Sequence, residues 1–429
     1  MAKSPRKLRF RSVFAAACGN ILEWYDFTVY SFLAPTLASQ FFPSNDHTAS
    51  LLSAFAVLAV GYAARPVGSV IFGHLGDRWG RKPVLILSVV IMGGSSVSIA
   101  LLPTHEQIGV AAAVLLVIIR VVQGISVAGE YTASGVLLVE QAAEGQKVLA
   151  GSWVACAMII GCVLGAAVPT VVSWFLSESQ LVSWGWRIPF FLGGGVAFLS
   201  MLLRRSLTES RPELEEDGQS PALQTLMKHP MLLVEMIVLL SPSAVLYFVT
   251  FVFAISSMGS EQYFTTSQAL DISTLNLIVL AISIPVIGHI TDKVGIRPVL
   301  IFSSVVMIII IVPSWWLMHR PDLGLVFIGQ FALAIINAPL YALSVSVLTL
   351  MAPAHLRCST VAIAYNICMA VFGGTTPMVI TYLIRQSGDI YIPTYYVLTT
   401  SVIALLVIWR VPMHINRSIQ AERVRVEQT

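Results

Sequence analysis

The chain has 429 residues, of which 56% are hydrophobic and 11% charged, and its mean hydropathy is +0.82. Soluble globular domains carry about 25% charged residues, so this composition excludes a soluble protein and places the chain in a lipid bilayer. The net charge of +3 gives no basic footprint for a nucleic acid, and no nucleic-acid partner is predicted.

Twelve apolar segments are long enough for transmembrane helices, which need about 20 residues each. They lie at about 13–40, 49–74, 83–102, 108–138, 147–175, 186–204, 230–258, 268–290, 298–318, 323–350, 357–385 and 391–411. A charged stretch divides them six and six. The predicted organisation is an N-terminal six-helix bundle at 1–205, a cytoplasmic linker at 206–229, a C-terminal six-helix bundle at 230–412 and a short cytoplasmic tail at 413–429.

Lys and Arg are distributed unevenly between alternate loops. One set of loops carries most of them, and only Arg187, Arg320 and Arg385 fall in the other set. Cytoplasmic loops are enriched in Lys and Arg. Both termini and the linker are therefore predicted to be cytoplasmic.

In chain order, the first predicted helix carries two acidic residues, Glu23 and Asp26, which share one helical face with Tyr30. Ionisable groups inside a membrane are costly and mark substrate or proton paths. Two acids this close do not both ionise easily, so they are the predicted proton-coupling residues. The alternative is that one of them forms a static ion pair with Arg65 or Arg120.

A loop after the second predicted helix, residues 73–83, is repeated half a chain later at residues 288–298; we call these the first and second hinge loops. A repeat at this distance indicates two homologous halves. The residues predicted to form a conformational latch are Gly73, Asp77, Arg78, Gly80, Arg81 and Lys82, with Glu140 as partner of Arg81, and Gly288, Asp292 and Arg297. The alternative is that these charges only anchor helices at the membrane surface.

The fourth predicted helix presents Arg120, Gln123 and Tyr131 in one stripe. The forked guanidinium of Arg120 matches a carboxylate, so it is predicted to bind a substrate carboxylate. The alternative is a structural pairing of Arg120 with Glu130 or with a helix-end carbonyl.

Further substrate-binding candidates follow the same reasoning from polar and aromatic residues. They are Tyr30 in the first half and Tyr247, Asn337, Tyr341, Tyr365 and Asn366 in the second. Such residues grip an apolar or quaternary-ammonium group through aromatic contacts, although each alone is more often a helix-packing residue. Glu235 is predicted to extend to the membrane surface. No metal or disulfide pattern is present in the sequence.

Several motifs together resemble one family. The first hinge loop is close to the Gly-x-x-x-Asp-Arg-x-Gly-Arg-Lys loop of the major facilitator superfamily. Residues 19–27, 61–68, 120–131 and 184–190 resemble its metabolite:proton symporter family, and residues 129–134 and 151–153 resemble the proline/glycine-betaine branch. In the second hinge loop Ile296 stands where a basic residue is expected.

This resemblance implies an all-α integral membrane protein in which two six-helix halves surround a central cavity and alternate its access. It implies a bacterial inner-membrane monomer, with no cofactor other than the coupling proton. The implied function is proton-coupled uptake of a small carboxylate-bearing solute: a zwitterion such as proline or betaine, or an organic acid such as α-ketoglutarate or citrate.

The main alternative is a proton-coupled antiporter that exports drugs or metabolites. Antiporters of this superfamily usually carry a Gly-Pro-rich stretch in the fifth helix. Here Gly161, Gly165 and Pro169 are present without a Gly-Pro pair. An enzyme is not predicted, because the eight histidines are scattered and no catalytic grouping is visible.

Overall fold

The computed structural model describes residues 10–79, 81–128, 130–205, 230–260, 265–353 and 356–410. Within these ranges it leaves out the side chains of residues 10–19, 22, 73, 74, 76–79, 81–85, 130, 133, 203–205, 259, 260 and 266. The predicted linker at 206–229 and the predicted tail at 413–429 lie outside the described residues.

The described part of the chain is almost entirely helical and contains no strand, which confirms the all-α prediction. Twelve long helical segments follow one another. They are α1 Phe10–Phe32; α2 His47–Ala63 with Arg65–Trp79; α3 Arg81–Leu101; α4 Val110–Ser126 with Glu130–Gln141; α5 Lys147–Phe175; α6 Arg187–Arg205; α7 Pro230–Phe248, continued by Val249–Phe253 and Ala254–Ser260; α8 Thr266–Val294; α9 Ile296–Met318; α10 Leu323–Met351; α11 Arg357–Cys368, continued by Met369–Gly373 and Thr376–Ser387; and α12 Ile392–Ile408. Short helices at Ala34–Phe41, His105–Ile108, Glu178–Gln180 and Leu181–Gly185 join some of them.

Seven of the described helices are long and apolar enough to cross a membrane by length and composition. An eighth is added if Glu178–Gly185 and Arg187–Leu202, which meet at a bend of 49°, form one span. Three shorter apolar helices, Ile86–Leu101, Val110–Ser126 and Ile392–Ile408, belong to α3, α4 and α12. We call α1–α6 the first half and α7–α12 the second half.

Several long segments are interrupted near their middle. The first helix of α4 ends at Ser126 and its second helix begins at Glu130, and α7 and α11 each contain a π-helical turn. Interruptions free backbone carbonyls, which then need other donors. The Gln330 side-chain amide donates to the Thr250 carbonyl at 2.7 Å. The Asn366 amide donates to the Ala128 carbonyl at 2.7 Å, so this bond joins α11 to the break in α4.

Helices α2 and α4 are in backbone contact at two glycines. A Cβ atom at Gly68 would collide with the carbonyl oxygen of Ile125, and one at Gly124 would collide with that of Gly61. Small residues permit such close approach between membrane helices. The two helices that carry Arg65 and Arg120 therefore pack without intervening side chains at these points.

The halves meet along two sets of helices. Helix α5 packs along α8 and α10, and α2 packs along α11. Within the second half, Glu235 departs from its prediction, because its side chain is buried and pairs with Arg410 at 2.7 Å. A buried carboxylate requires such a partner, and Arg410 at the end of α12 supplies it.

Candidate functional site

Four charged side chains lie buried in the first half. Glu23 and Asp26 on α1 are each 2% exposed, and Arg65 on α2 and Arg120 on α4 are each 0% exposed. Arg65 Nη1 lies 3.2 Å from Glu23 Oε1. The alternative that an acid of α1 forms an ion pair with Arg65 thus describes Glu23 in this structure.

Asp26 has different partners. Its Oδ2 accepts a hydrogen bond from Gln123 Nε2 at 3.0 Å, and its Oδ1 accepts one from Ser96 Oγ at 2.9 Å. Gln123 Oε1 in turn accepts from Arg120 Nη1 at 2.6 Å. Asp26 is therefore linked to Arg120 through the Gln123 amide rather than by direct contact.

Aromatic rings enclose both guanidinium groups. The carbon Cζ of Arg65 lies 4.2 Å and that of Arg120 lies 4.7 Å from the centroid of the Phe27 ring. Tyr62 and Trp24 also face Arg65, at 4.4 and 5.2 Å, and Tyr30 faces Arg120 at 4.2 Å. A desolvated cation over an aromatic face gains about 2 kcal/mol. The rings therefore surround two buried cations.

Each arginine uses only part of its hydrogen-bonding capacity. The Nε and Nη2 atoms of Arg65 and of Arg120 are buried and donate to no acceptor among the described residues. Buried polar groups are ordinarily hydrogen-bonded. These two atoms form one edge of a guanidinium, and that edge matches the two oxygens of a carboxylate.

Aromatic residues of the second half meet those of the first. Tyr131 stacks on Tyr365 with centroids 4.6 Å apart, and Tyr62 meets Phe248 edge-on at 5.5 Å. Tyr247 lies 6.0 Å from Tyr341 inside the second half. The aromatic residues around the arginines are therefore in contact with aromatic residues of the second half.

The remaining predicted binding residues make bonds within the protein. Asn337 accepts from Ser243 Oγ at 3.0 Å, and Asn366 bonds to the break in α4. The hydroxyl of Tyr30 donates to the Ala54 carbonyl at 3.0 Å. The structure thus brings Gln123, Tyr30, Tyr131 and Tyr365 close to Arg120 and the other buried charges. Asn337 lies on α10 and contacts Ser243 of α7.

Contacts join the halves at the end of the helices where the hinge loops lie, which we call the hinge end. Asp292 accepts hydrogen bonds from the backbone nitrogens of Val148 and Leu149, at 3.0 and 2.9 Å, and so caps the start of α5 in the other half. Carboxylates at a helix N-terminus are favoured by the helix dipole. Close packing accompanies this cap, because a Cβ at Gly288 would lie 2.5 Å from Ser152 Oγ.

The other predicted latch residues are distributed differently. Glu140 forms an ion pair at 2.8 Å with Arg357 of α11, across the halves. Arg297 stacks over Trp409 at 4.2 Å, a contact inside the second half. Gly80 lies outside the described residues. The structure also gives no side-chain information for the other predicted latch residues of the first hinge loop, which are Gly73, Asp77, Arg78, Arg81 and Lys82.

The opposite end of the helices is also closed by contacts between the halves. Arg385 Nη2 lies 2.5 Å from Asp46 Oδ2, with both side chains more than two-fifths exposed. Trp174 Nε1 donates to Asp271 Oδ1 at 3.2 Å. Contacts thus join the two halves at both ends of the helices.

Sequence reasoning missed several of these contributors. Ser96 is one of several small residues on α3, and nothing in its surroundings in the sequence distinguishes it. Trp24, Phe27 and Tyr62 lie inside the motifs quoted above, but their position around the guanidinium groups depends on three helices. Asp46 and Arg385 lie far apart in the chain, and only their opposite charge was available as a signal.

Comparison with known proteins identifies similar chains. Residues 16–271 match the family model described as Major Facilitator Superfamily. The glycine betaine/proline/ectoine/pipecolic acid transporter OusA of Dickeya dadantii (strain 3937) is 33% identical over 410 residues, which cover 92% of this chain and 82% of that protein. The proline/betaine transporter of Escherichia coli (strain K12) is 32% identical over 414 residues, which cover 93% and 82%.

Solved structures show the same fold. The crystal structure of a D-xylose-proton symporter matches with a TM-score of 0.73 at 19% identity, over 94% of this chain and 98% of that one. A structure of the proton:xylose symporter XylE bound to 6-bromo-6-deoxy-D-glucose matches with a TM-score of 0.71 at 17% identity, over 95% of each chain. At this identity the likeness concerns the arrangement of the helices.

Proposed function

Because the chain belongs to the major facilitator superfamily, we propose that it is a proton-coupled symporter that takes up a zwitterionic solute of the proline and betaine type. The chain is a multi-pass membrane transporter and not an enzyme. The proposal concerns the solute, the coupling ion and the residues that carry them.

The free edge of Arg120 is the observation that carries the proposal. Its Nε and Nη2 donate to no acceptor within the described residues, although the side chain is fully buried. A solute carboxylate satisfies both donors with two parallel hydrogen bonds. The relatives named for betaine and proline act on solutes that carry such a carboxylate.

The link through Gln123 supports coupling between this carboxylate and a proton on Asp26. With Asp26 ionised, Arg120 is already balanced by a buried negative charge, and a second carboxylate beside it is unfavourable. With Asp26 protonated, the solute carboxylate replaces that charge. The empty and the fully loaded states are both locally balanced, so they move through the membrane more easily than the singly loaded states.

The aromatic residues at the boundary of the halves support binding of the solute cation. Tyr131, Tyr365, Tyr62 and Phe248 come from both halves and lie around the arginine region. Aromatic faces attract quaternary ammonium groups. A betaine would place its carboxylate on Arg120 and its ammonium among these rings, with Tyr247 and Tyr341 further along the second half.

Membrane orientation follows from the charged residues at the two ends. Among the described residues, the hinge end carries more basic side chains, namely Lys147, Lys293, Arg297, Arg357 and Arg410, than the opposite end, which carries Arg187, Arg320 and Arg385. Cytoplasmic ends are enriched in such residues. We therefore assign the hinge end and both termini to the cytoplasm, in a bacterial inner membrane.

The proposed moving parts are two bundles, at 1–205 and 230–412, joined by a linker at 206–229 within one monomer. The cap at Asp292 and the Glu140–Arg357 pair hold the cytoplasmic end closed. The Asp46–Arg385 pair holds the outer end closed. A membrane potential of 100 mV supplies about 2.3 kcal/mol for each proton, which suffices for accumulation of several tens of times.

Proton movement in proteoliposomes tests this function. Purified protein is reconstituted with an internal pH dye, and proline, glycine betaine, α-ketoglutarate, citrate and shikimate are added in turn. Internal acidification is expected with proline or glycine betaine. The Asp26→Asn variant is expected to lose this acidification and concentrative uptake, while exchange of solute between two loaded sides continues.

Two results would contradict the proposal. Silence with all five solutes, together with alkalinisation on addition of a cationic drug, would indicate an antiporter. Undiminished acidification in Asp26→Asn would remove Asp26 from the proton path, and the same experiment on Glu23→Gln then tests the other acid.

A further inference from the structure

We infer that Ser96 is a positioning residue that lets Asp26 accept a proton without losing a hydrogen bond, because its hydroxyl turns from the Asp26 carboxylate to the Phe190 backbone carbonyl. The inference rests on the proposed function, in which Asp26 carries the coupling proton. It adds a residue on α3 and a carbonyl on α6 to the proton site.

The geometry of Ser96 places one hydroxyl between two acceptors. Its Oγ lies 2.9 Å from Asp26 Oδ1 and 3.1 Å from the carbonyl oxygen of Phe190. The Ser96 and Phe190 residues are fully buried, at 0% exposure. A hydroxyl has one proton to donate and two lone pairs to accept, so Ser96 donates to one of these oxygens at a time.

Each orientation suits one protonation state. When Asp26 is ionised, Ser96 donates to Oδ1 and Gln123 donates to Oδ2, so both carboxylate oxygens accept. When Asp26 binds a proton at Oδ1, its O–H donates to Ser96 Oγ and the Ser96 O–H donates to the Phe190 carbonyl. No atom moves far, and no buried donor loses its acceptor, a loss that would be unfavourable.

Gln123 does not serve this purpose in the same arrangement. Its Oε1 is engaged by Arg120 Nη1 at 2.6 Å, so its amide presents only N–H groups to Asp26. Among the described residues, Ser96 is the hydrogen-bond partner of Asp26 that has a lone pair to accept the new proton.

The charged and titratable groups packed around Asp26 have other partners, so they do not compete with Asp26 and Ser96 for the proton. From α4 the charged neighbour is Arg120, behind Gln123, and on α2 Arg65 is held by Glu23 of α1 across the Phe27 ring. On α1 itself, the Tyr25 hydroxyl donates to the Pro189 carbonyl at 2.8 Å.

The described side chains of α3 include no charged group, and those of α6 include only Arg187, which donates to the carbonyls of Ser183 and Leu102. At Gly193 of α6 a Cβ would collide with Asp26 Oδ1 and lie 2.7 Å from Ser96 Oγ. The absence of a side chain there lets α6 close the site and bring its Phe190 carbonyl within reach.

The test compares Ser96→Ala with the matched control Ser98→Ala, an exposed serine of the same helix that bonds only to the Gly94 carbonyl of its own helix. Infrared difference spectra between acidic and alkaline pH record the C=O stretch of the protonated acid, and Asp26→Asn identifies the band. In Ser96→Ala this band is expected to move to higher frequency, because the acid loses the acceptor of its proton.

Uptake against pH provides the second measurement. A hydrogen bond to an ionised group is about twice as strong as a neutral one, so removing Ser96 destabilises ionised Asp26 more than protonated Asp26. The pH of half-maximal uptake is expected to rise by about one unit, since 1.36 kcal/mol corresponds to one unit. Ser96→Thr, which keeps a hydroxyl, is expected to restore both values, and Ser98→Ala to leave both unchanged.

The possible outcomes distinguish a failure of the proposed proton site at Asp26 from a failure of the role inferred for Ser96. If the wild-type protein shows no acid band that Asp26→Asn removes, the proposed proton site itself is wrong. If Asp26→Asn removes the band but Ser96→Ala changes neither its frequency nor the pH dependence, the role of Ser96 is overturned. If Ser96→Ala only lowers the amount of folded protein, the band of the folded fraction still decides.

Discussion

The ring of Tyr131 on α4 stacks on the ring of Tyr365 on α11, with centroids 4.6 Å apart and planes inclined by 26°. This contact belongs to both halves at once, so it exists only while they are close together. It also forms one side of the aromatic region in which we place the solute cation.

Replacement of Tyr365 tests that placement. Tyr365→Leu is expected to raise the KM for glycine betaine about tenfold, because an aromatic face contributes roughly 1–2 kcal/mol to a desolvated quaternary ammonium. Tyr365→Phe keeps the face and is expected to stay within about twofold. Uptake of radiolabelled betaine at varied concentration measures both.

Tyr395→Leu is the matched control for this change, because Tyr395 lies on α12 and is 50% exposed. An unchanged KM in Tyr365→Leu would show that the ring packs helices without contacting the solute.

The two acids of α1 are expected to differ in what they contribute to stability. Glu23→Gln leaves the buried guanidinium of Arg65 without its carboxylate, and breaking a buried pair costs about 3–5 kcal/mol. Asp26→Asn retains groups that pair with Ser96 and Gln123, and its loss is expected to be about 1 kcal/mol. Thermal unfolding of the detergent-solubilised variants gives the ranking.

The double variant Glu23→Gln with Arg65→Gln removes both charges and is expected to recover most of the loss of Glu23→Gln. Equal unfolding temperatures for Glu23→Gln and Asp26→Asn would contradict the assignment of Glu23 to the ion pair.

The cap between Asp292 and α5 is expected to set the balance between conformations. Asp292→Ala removes an acceptor worth about 1 kcal/mol, so arrangements open at the hinge end should gain about fivefold relative to closed ones. Pulsed electron paramagnetic resonance between spin labels at the hinge ends of the two halves measures the populations.

Asp322→Ala provides the comparison, because Asp322 caps its own helix by accepting from the nitrogen of Leu325 at 3.0 Å. It should leave the distance distribution unchanged. A shift of equal size in both variants would mean that lost caps loosen the protein generally and that Asp292 has no special role.

The ion pair between Asp46 and Arg385 is expected to act at the other end. Arg385→Gln should increase openings at that end, and the same change should follow from raising ionic strength, which screens exposed charges. Asp46 is left in place because it also caps α2 by accepting from the nitrogen of Ala49 at 3.2 Å. Label distances at that end, recorded at low and high salt, measure the effect.

Arg320→Gln is the control at the same end, since Arg320 stacks over Trp316 within its own half at 3.9 Å. If salt opens Arg385→Gln as much as the unaltered protein, the pair is not the salt-sensitive contact.

The sequence was sufficient for the helical class, for the repeat of the hinge loops and for assigning the charged residues to α1 and α4. These depend on composition and on spacing along single helices. The hydrogen-bond and ion-pair partners of these charges could not be predicted from the sequence, because most of them lie on other helices. Gln123 was predicted as a solute ligand, and the structure places its amide between Arg120 and Asp26.

Helix interruptions were equally invisible to a periodic pattern. The predicted stripe through Arg120, Gln123 and Tyr131 assumes a continuous helix. In the structure the helix that carries Arg120 and Gln123 ends at Ser126, and Tyr131 lies on the next one. Glu235 was placed at the membrane surface because it lies near a helix end, and only the return of α12 brings Arg410 beside it.

The backbone contact of α2 with α4 at Gly68 and Gly124 couples the positions of the two helices that carry Arg65 and Arg120. No side chains separate the two helices at these points. We therefore expect a displacement of one helix to displace the other. If the solute binds Arg120 as proposed, we expect any resulting shift of α4 to be passed to α2 and Arg65 through this contact. We therefore expect α2 and α4 to move together during the proposed transport cycle.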